Sequence, residues 1–162
     1  MKEERELAAA MDTYGDTVKR LCVVYLKNQE DTEDIFQNVF LKYWNSSPHF
    51  ESEVHEKAWI IRVTINACKD LLRNYFRKNT VALEEVGELE ADGKSDENGF
   101  VRRAVLSLPE KYRIVIYLYY FEEYSAVEIG KMLSKNTNTV YTLLSRGREM
   151  LKQILGGDPD EW

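Results

Sequence analysis

The 162-residue chain has few of the groups on which catalytic and metal sites are built. It has only two histidines, His49 and His55, at the edges of a loop-like stretch and without a companion ligand pair, so a zinc site is not expected. Cys22 and Cys68 stand far apart with no CxxC partner, which fits two ordinary thiols in a reducing compartment. There is no Gly-rich phosphate loop and no Ser/His/Asp or Cys/His set, so neither catalysis, nor a cofactor, nor a small-molecule substrate is expected. The longest apolar run, IVIYLYYF at 114–121, is far too short to cross a bilayer. The N-terminus MKEERELAAAM is charged where a secretory signal would be basic and then greasy. These features predict a cytoplasmic protein without membrane insertion.

What the chain does have is apolar residues at helical spacing, 44% of the total, and an unevenly placed net charge of -6. Residues 1–79 hold twelve Lys/Arg against thirteen Asp/Glu, and residues 101–162 hold nine against eight. The segment TVALEEVGELEADGKSDENG at 80–99 carries seven acids and one lysine, and lacks a sustained apolar stripe. It reads as an acidic linker between two small helical domains, 1–79 and 100–162, each close to neutral. The fold class expected is all-α.

Within the first domain, Val18, Leu21, Cys22, Tyr25 and Leu26 make one helical stripe. A second helix, capped by Asp31 and Thr32, carries Ile35, Phe36, Val39, Phe40, Tyr43 and Trp44 on one face and Asp34, Gln37, Asn38 and Leu41 on the opposite one. A leucine among hydrogen-bonding groups on a solvent face is a candidate docking point. The third helix places Trp59, Val63, Ala67 and Leu71 on one stripe, broadened by Ile60 and Leu72. Asn66, Lys69, Asp70 and Arg73 share a polar side. Between Lys57 and Lys78 six bases (Lys57, Arg62, Lys69, Arg73, Arg77, Lys78) face one acid, Asp70, which suits a phosphate-bearing partner.

In the second domain Pro109 is expected at the first turn of a helix over the 114–121 run, because Val115, Leu118, Tyr119 and Glu122 keep helical spacing. EYSAVEIGKMLSKNTNTVYTLLSRGREML at 123–151 then reads as helix, turn and helix. Ser125 and Glu128 make a capping box, SKN the turn, and Thr137 the next cap. On the last helix Val140, Leu144, Gly147 and Leu151 point inward, joined by Leu143 and Met150. Asn138, Tyr141, Thr142, Ser145, Arg146 and Arg148 point outward, a polar helix start followed by arginines that suits base edges and then phosphates.

Two separated segments resemble the sigma-70 family of bacterial RNA polymerase initiation factors, in its small extracytoplasmic-function (ECF, group IV) type. DTEDIFQNVFLKYW is similar to region 2.2, commonly D-A-E-D-x-x-Q-x-x-F-x-x-x-W. WIIRVTINACKDLLR resembles regions 2.3 and 2.4, with Trp59, Asn66, Asp70 and Arg73 in place. Residues 108–151 resemble region 4, including Leu108, Pro109, Arg113, Glu128, Ile129, Thr139, Val140, Arg146 and Arg148.

The resemblance implies that Asp34, Gln37, Asn38 and Leu41 bind core RNA polymerase. It implies that Arg62, Asn66, Lys69, Arg73, Arg77 and Lys78, with the loop NSSPHFESEVHEK, meet the melted minus-ten element. It assigns Thr137, Asn138, Thr139, Tyr141, Thr142, Ser145, Arg146 and Arg148 to promoter DNA at minus thirty-five. An anti-sigma factor is a typical further partner. The chain departs from the family at Tyr141 and Leu143, where Lys or Arg is frequent, and at Ser134, where Gly is. Leu143 sits at the edge of the inward stripe, so an arginine there is expected to snorkel outward to a phosphate and strengthen use of the minus-thirty-five element; the competing reading is that Leu143 is core and the charge would be buried at a cost. Two other readings stay open from the residues alone: an autonomous helix-turn-helix regulator with an N-terminal dimerisation domain, and a helical protein-binding adaptor.

Overall fold

A computed structural model describes residues 2–26, 28–78 and 99–156, with side chains through Tyr75 in the first domain. The acidic linker expected at 80–99 lies almost wholly outside these residues. The chain divides into two compact units, and every element among the described residues is helical.

Unit 1 holds α1 (Glu4–Tyr25), α2 (Gln29–Ser46) and α3 (Glu53–Lys78), each packed on the other two. The expected stripe of α1 is buried: Val18, Leu21 and Cys22 are fully enclosed, with Tyr25 and Leu26 beside them. Each such aliphatic side chain contributes about 2 kcal/mol by leaving water. From α2 come Ile35, Val39, Phe40 and Tyr43. The cap of α2 differs from expectation, because the Asn28 side chain accepts from the Asp31 N–H at 2.8 Å and so starts the helix three residues earlier.

The core face of α3 also differs. Ile61, Ile65 and Cys68 are fully enclosed with Ile60, whereas Trp59, Val63, Ala67 and Leu71 are half-buried. The buried face is thus turned by roughly 100°, one residue's rotation, from the expected stripe. Thr64 belongs to it because its hydroxyl donates to the Ile60 carbonyl at 2.7 Å, which removes the cost of an unpaired buried polar group.

Unit 2 holds α4 (Gly99–Leu106), α5 (Glu110–Ile116) with a π-helical turn over Tyr117–Phe121, α6 (Ala126–Leu133) and α7 (Thr137–Leu155). Pro109 stands at the N-cap of α5, one position before the first turn. The apolar 114–121 run is helical as its spacing predicts, and Val115, Ile116 and Leu118 are enclosed with Ile129, Val140, Leu144 and Leu151. Arg113 is buried among them, and its Nη1 donates to the Leu106 carbonyl at 3.1 Å, closing the C-terminal end of α4.

Two glycines permit the approach of α6 and α5 to α7. A Cβ on Gly130 would lie 2.6 Å from the Lys135 carbonyl oxygen, and one on Gly147 would lie 3.0 Å from Ile116 Cγ1. The first clash is with backbone and has no side-chain remedy.

Candidate polymerase and nucleic-acid interfaces

The local chemistry of the helix-turn-helix explains how α7 is aimed. Ser125 Oγ accepts from the Glu128 N–H at 3.1 Å while Glu128 Oε1 accepts from the Ser125 N–H at 3.0 Å, a complete capping box. These bonds from Ser125 hold the Glu128 carboxyl below its ordinary range. Ser134 ends α6 in the left-handed region at φ 56°, the conformation that favours glycine. The cap of α7 is Asn136, whose Oδ1 accepts from the Thr139 N–H at 2.7 Å, so Thr137 is the first helical residue and not the cap.

On α7, Asn138, Thr139, Tyr141, Thr142, Ser145 and Arg146 are exposed, and Thr137 and Arg148 are half-buried. The expected DNA-facing set therefore lies on the solvent side of a helix whose other side is core. Thr142 Oγ1 donates to the Asn138 carbonyl at 3.1 Å. Leu143 is buried, with 8% exposure, so the option of an outward-snorkelling arginine at this position is withdrawn. The intrahelical stripe around Val140 and Leu144 reaches it.

On α2, Asp34, Gln37, Asn38 and Leu41 are all exposed and follow helical spacing, with Leu41 half in solvent. They back onto Ile35, Val39 and Phe40 in the core, so the helix is held firmly behind the surface it presents.

On α3, Arg62, Asn66 and Arg73 are exposed and Lys69 is half-buried, again along one stripe. Arg73 lies 3.6 Å from Asp70 with both side chains largely in solvent, a pair worth at most ~0.5 kcal/mol that a phosphate can displace. The side chains of Arg77 and Lys78 lie outside the described residues.

Sequence spacing did not reveal the order of the loop before α3. The Phe50 ring stacks with Tyr43 at 6.1 Å and meets Trp59 and His55 edge-on at 5.7 and 5.2 Å. Lys2 Nζ sits over Phe50 at 4.9 Å, tied in place by its own N–H to the Trp44 carbonyl. Tyr43 donates to Glu56 at 2.8 Å, and burial together with this carboxylate raises its phenol pKa well above the ordinary value. The half-buried Trp59, expected in the core stripe, belongs to this aromatic cluster. Its partners come from non-local elements, which helical periodicity cannot display.

Comparison with known proteins fits this geometry. The family profile for sigma-70 region 2 matches residues 10–78, and that for sigma-70 region 4 matches residues 101–151. The ECF RNA polymerase sigma factor SigW of Bacillus subtilis (strain 168) is 31% identical over 169 aligned positions, covering 94% of this chain and 90% of SigW. The chain belongs to the sigma-70 family, as a factor of the ECF type. The RNA polymerase sigma factor SigV of the same organism is also 31% identical, over 82% of this chain and 81% of its own length.

Among solved structures, the sigma factor RpoE of Bartonella quintana, in complex with the anti-sigma factor NepR, matches with a TM-score of 0.77. It is 19% identical, and 95% of this chain and 99% of RpoE are covered. CnrH, in complex with the cytosolic domain of CnrY, matches with a TM-score of 0.64 at 18% identity. The ECF factor thus shares its fold with both. Region 2 corresponds to unit 1 and region 4 to unit 2.

Proposed function

We propose that this ECF factor assembles with core RNA polymerase and directs promoter recognition, promoter melting and transcription initiation through three separate solvent faces. Asp34, Gln37, Asn38 and Leu41 of α2 engage the polymerase. Arg62, Asn66, Lys69 and Arg73 of α3, extended by Arg77 and Lys78, engage the minus-ten element, helped by the ordered loop around Phe50. The outward residues of α7 engage the minus-thirty-five element. The observation that carries this reading is the pair of unlike faces on unit 1, one holding an exposed leucine among polar groups and the other a basic stripe. An autonomous dimeric regulator has no use for both, and membership in the sigma-70 family disfavours it.

The factor carries out no chemistry itself; phosphodiester formation belongs to the polymerase. Residues 1–79 and 100–162 are the two binding domains and 80–99 the acidic linker, whose carboxylates suit the polymerase's positively charged nucleic-acid path. Assembly with core polymerase places the factor in the cytoplasm; among the described residues no helix is long and apolar enough to cross a membrane. Because RpoE and CnrH were each captured with a partner, NepR an anti-sigma factor and CnrY through its cytosolic domain, an anti-sigma factor is the expected regulator here too.

Co-purification with core polymerase, followed by transcription from a promoter carrying both elements, tests this reading. Assembly with polymerase and promoter-dependent transcripts are expected. Tight promoter binding by the isolated chain, without assembly, would overturn it.

A further inference from the structure

The π-helical turn after α5 brings a residue from outside the helix-turn-helix against Arg148 of α7. Arg148 Nη1 donates to the Tyr120 hydroxyl at 3.2 Å, across 28 residues of sequence. Tyr120 is exposed, and the Tyr119 ring meets it edge-on at 5.0 Å. The turn that presents it is held by Tyr117, which stacks on Phe121 at 5.8 Å and donates to Glu122 at 2.7 Å. Arg148 lies seven residues after Tyr141, two turns further along the outward side of α7. It therefore stands two turns beyond the polar start of α7, and on the proposed reading of that helix this end meets the backbone of a duplex and not its base edges.

We propose that Tyr120 and Arg148 form a clamp for a single DNA backbone phosphate at the edge of the minus-thirty-five element, with Tyr120 as the residue that positions the guanidinium. The inference rests on the reading of α7 as the DNA-facing helix. A hydroxyl that accepts from arginine keeps its own proton for donation, and the guanidinium uses one of its five N–H groups in this bond. Arginine and tyrosine together then present donors to the oxygens of a phosphodiester, which has none of its own. Such a contact adds affinity without reading sequence.

The test uses holoenzyme assembled from the full chain and duplex promoter fragments, with dissociation constants measured over a range of salt. Tyr120→Phe should weaken binding by roughly threefold to tenfold, equally for matched and scrambled minus-thirty-five sequences. Arg148→Ala should reduce the salt slope by about one unit. In the Arg148→Ala background Tyr120→Phe should have no further effect, and a neutral methylphosphonate at the contacted position should abolish the difference between Tyr120→Phe and the native chain. Melting of Tyr120→Phe should be unchanged, since only an exposed hydroxyl is removed.

A loss from Arg148→Ala with none from Tyr120→Phe would overturn the positioning role. If Arg148→Ala is inert while Asn138→Ala and Arg146→Ala weaken binding, the DNA helix stands and the clamp falls. If all three are inert, the reading of α7 fails. A Tyr120→Phe defect in assembly with polymerase but not in DNA binding would assign the pair to a protein contact and overturn the clamp.

Discussion

The two units solve the same problem in different ways. In unit 1 the surfaces proposed for two partners are carried on different helices, α2 and α3, and each is backed by enclosed side chains of its own. In unit 2 one helix, α7, carries both the core stripe and the proposed DNA face, and its aim depends on a tight turn with a non-glycine residue at φ 56° and a glycine pressed against backbone. Surface changes in unit 1 should therefore be separable from folding. Changes around α7 should affect fold and recognition together wherever they touch its inner half.

The largest expected effect is from Leu143→Arg, which buries a charge and should destabilise unit 2 by about 3 kcal/mol. Hydrogen exchange along α6 and α7 would report it, with protection in α1–α3 unchanged. Gly130→Ala should cost about 2 kcal/mol, because its Cβ meets the Lys135 carbonyl and the turn must open. Gly147→Ala makes an informative contrast, since its Cβ meets side chains and not backbone, so a helix-propensity gain of ~1 kcal/mol is set against displacing the enclosed Ile116, 3.0 Å away.

In unit 1, Gln37→Ala or Leu41→Ala should leave thermal melting unchanged while weakening binding to core polymerase, by up to ~2 kcal/mol at an interface hot spot. A drop in melting temperature would break the comparison. The smallest effects belong to the turn. Ser134→Gly should stabilise unit 2 by about 0.5–1 kcal/mol, as it removes left-handed strain from a residue with a Cβ. Glu128 has a folded pKa lowered by its capping bonds, so its contribution is fully present above the unfolded value of 4.5 and is lost as pH falls through the folded one. Glu128→Gln should accordingly flatten the acid limb of the unit 2 stability profile.

Much of this architecture was legible because amphipathic helices announce their inner faces. The stripes of α1, α2 and α7 and the Ser125–Glu128 box stand where spacing puts them. The α3 face was misplaced because that helix is apolar on more than one side, so Trp59 and Val63 compete with Ile61 and Ile65 until tertiary packing decides. Two caps were misassigned, by three residues at α2 and by one at α7, because several competent cap residues cluster at each site, Asn, Asp and Thr at the first and Asn and Thr at the second, and backbone geometry chose Asn28 and Asn136. The Tyr120–Arg148 bond and the Phe50 cluster had no local signature, since each joins residues from different elements.

On the proposed reading α2 and α3 serve different partners from one compact unit. The most direct measurement compares Leu41→Ala with Asn66→Ala in one assay that reads both affinity for core polymerase and opening of a promoter fragment at saturating factor. Leu41→Ala should lose affinity and recover opening when the factor is in excess, whereas Asn66→Ala should assemble normally and open poorly at any concentration. Equal losses of assembly in both variants would contradict the separation of the two faces.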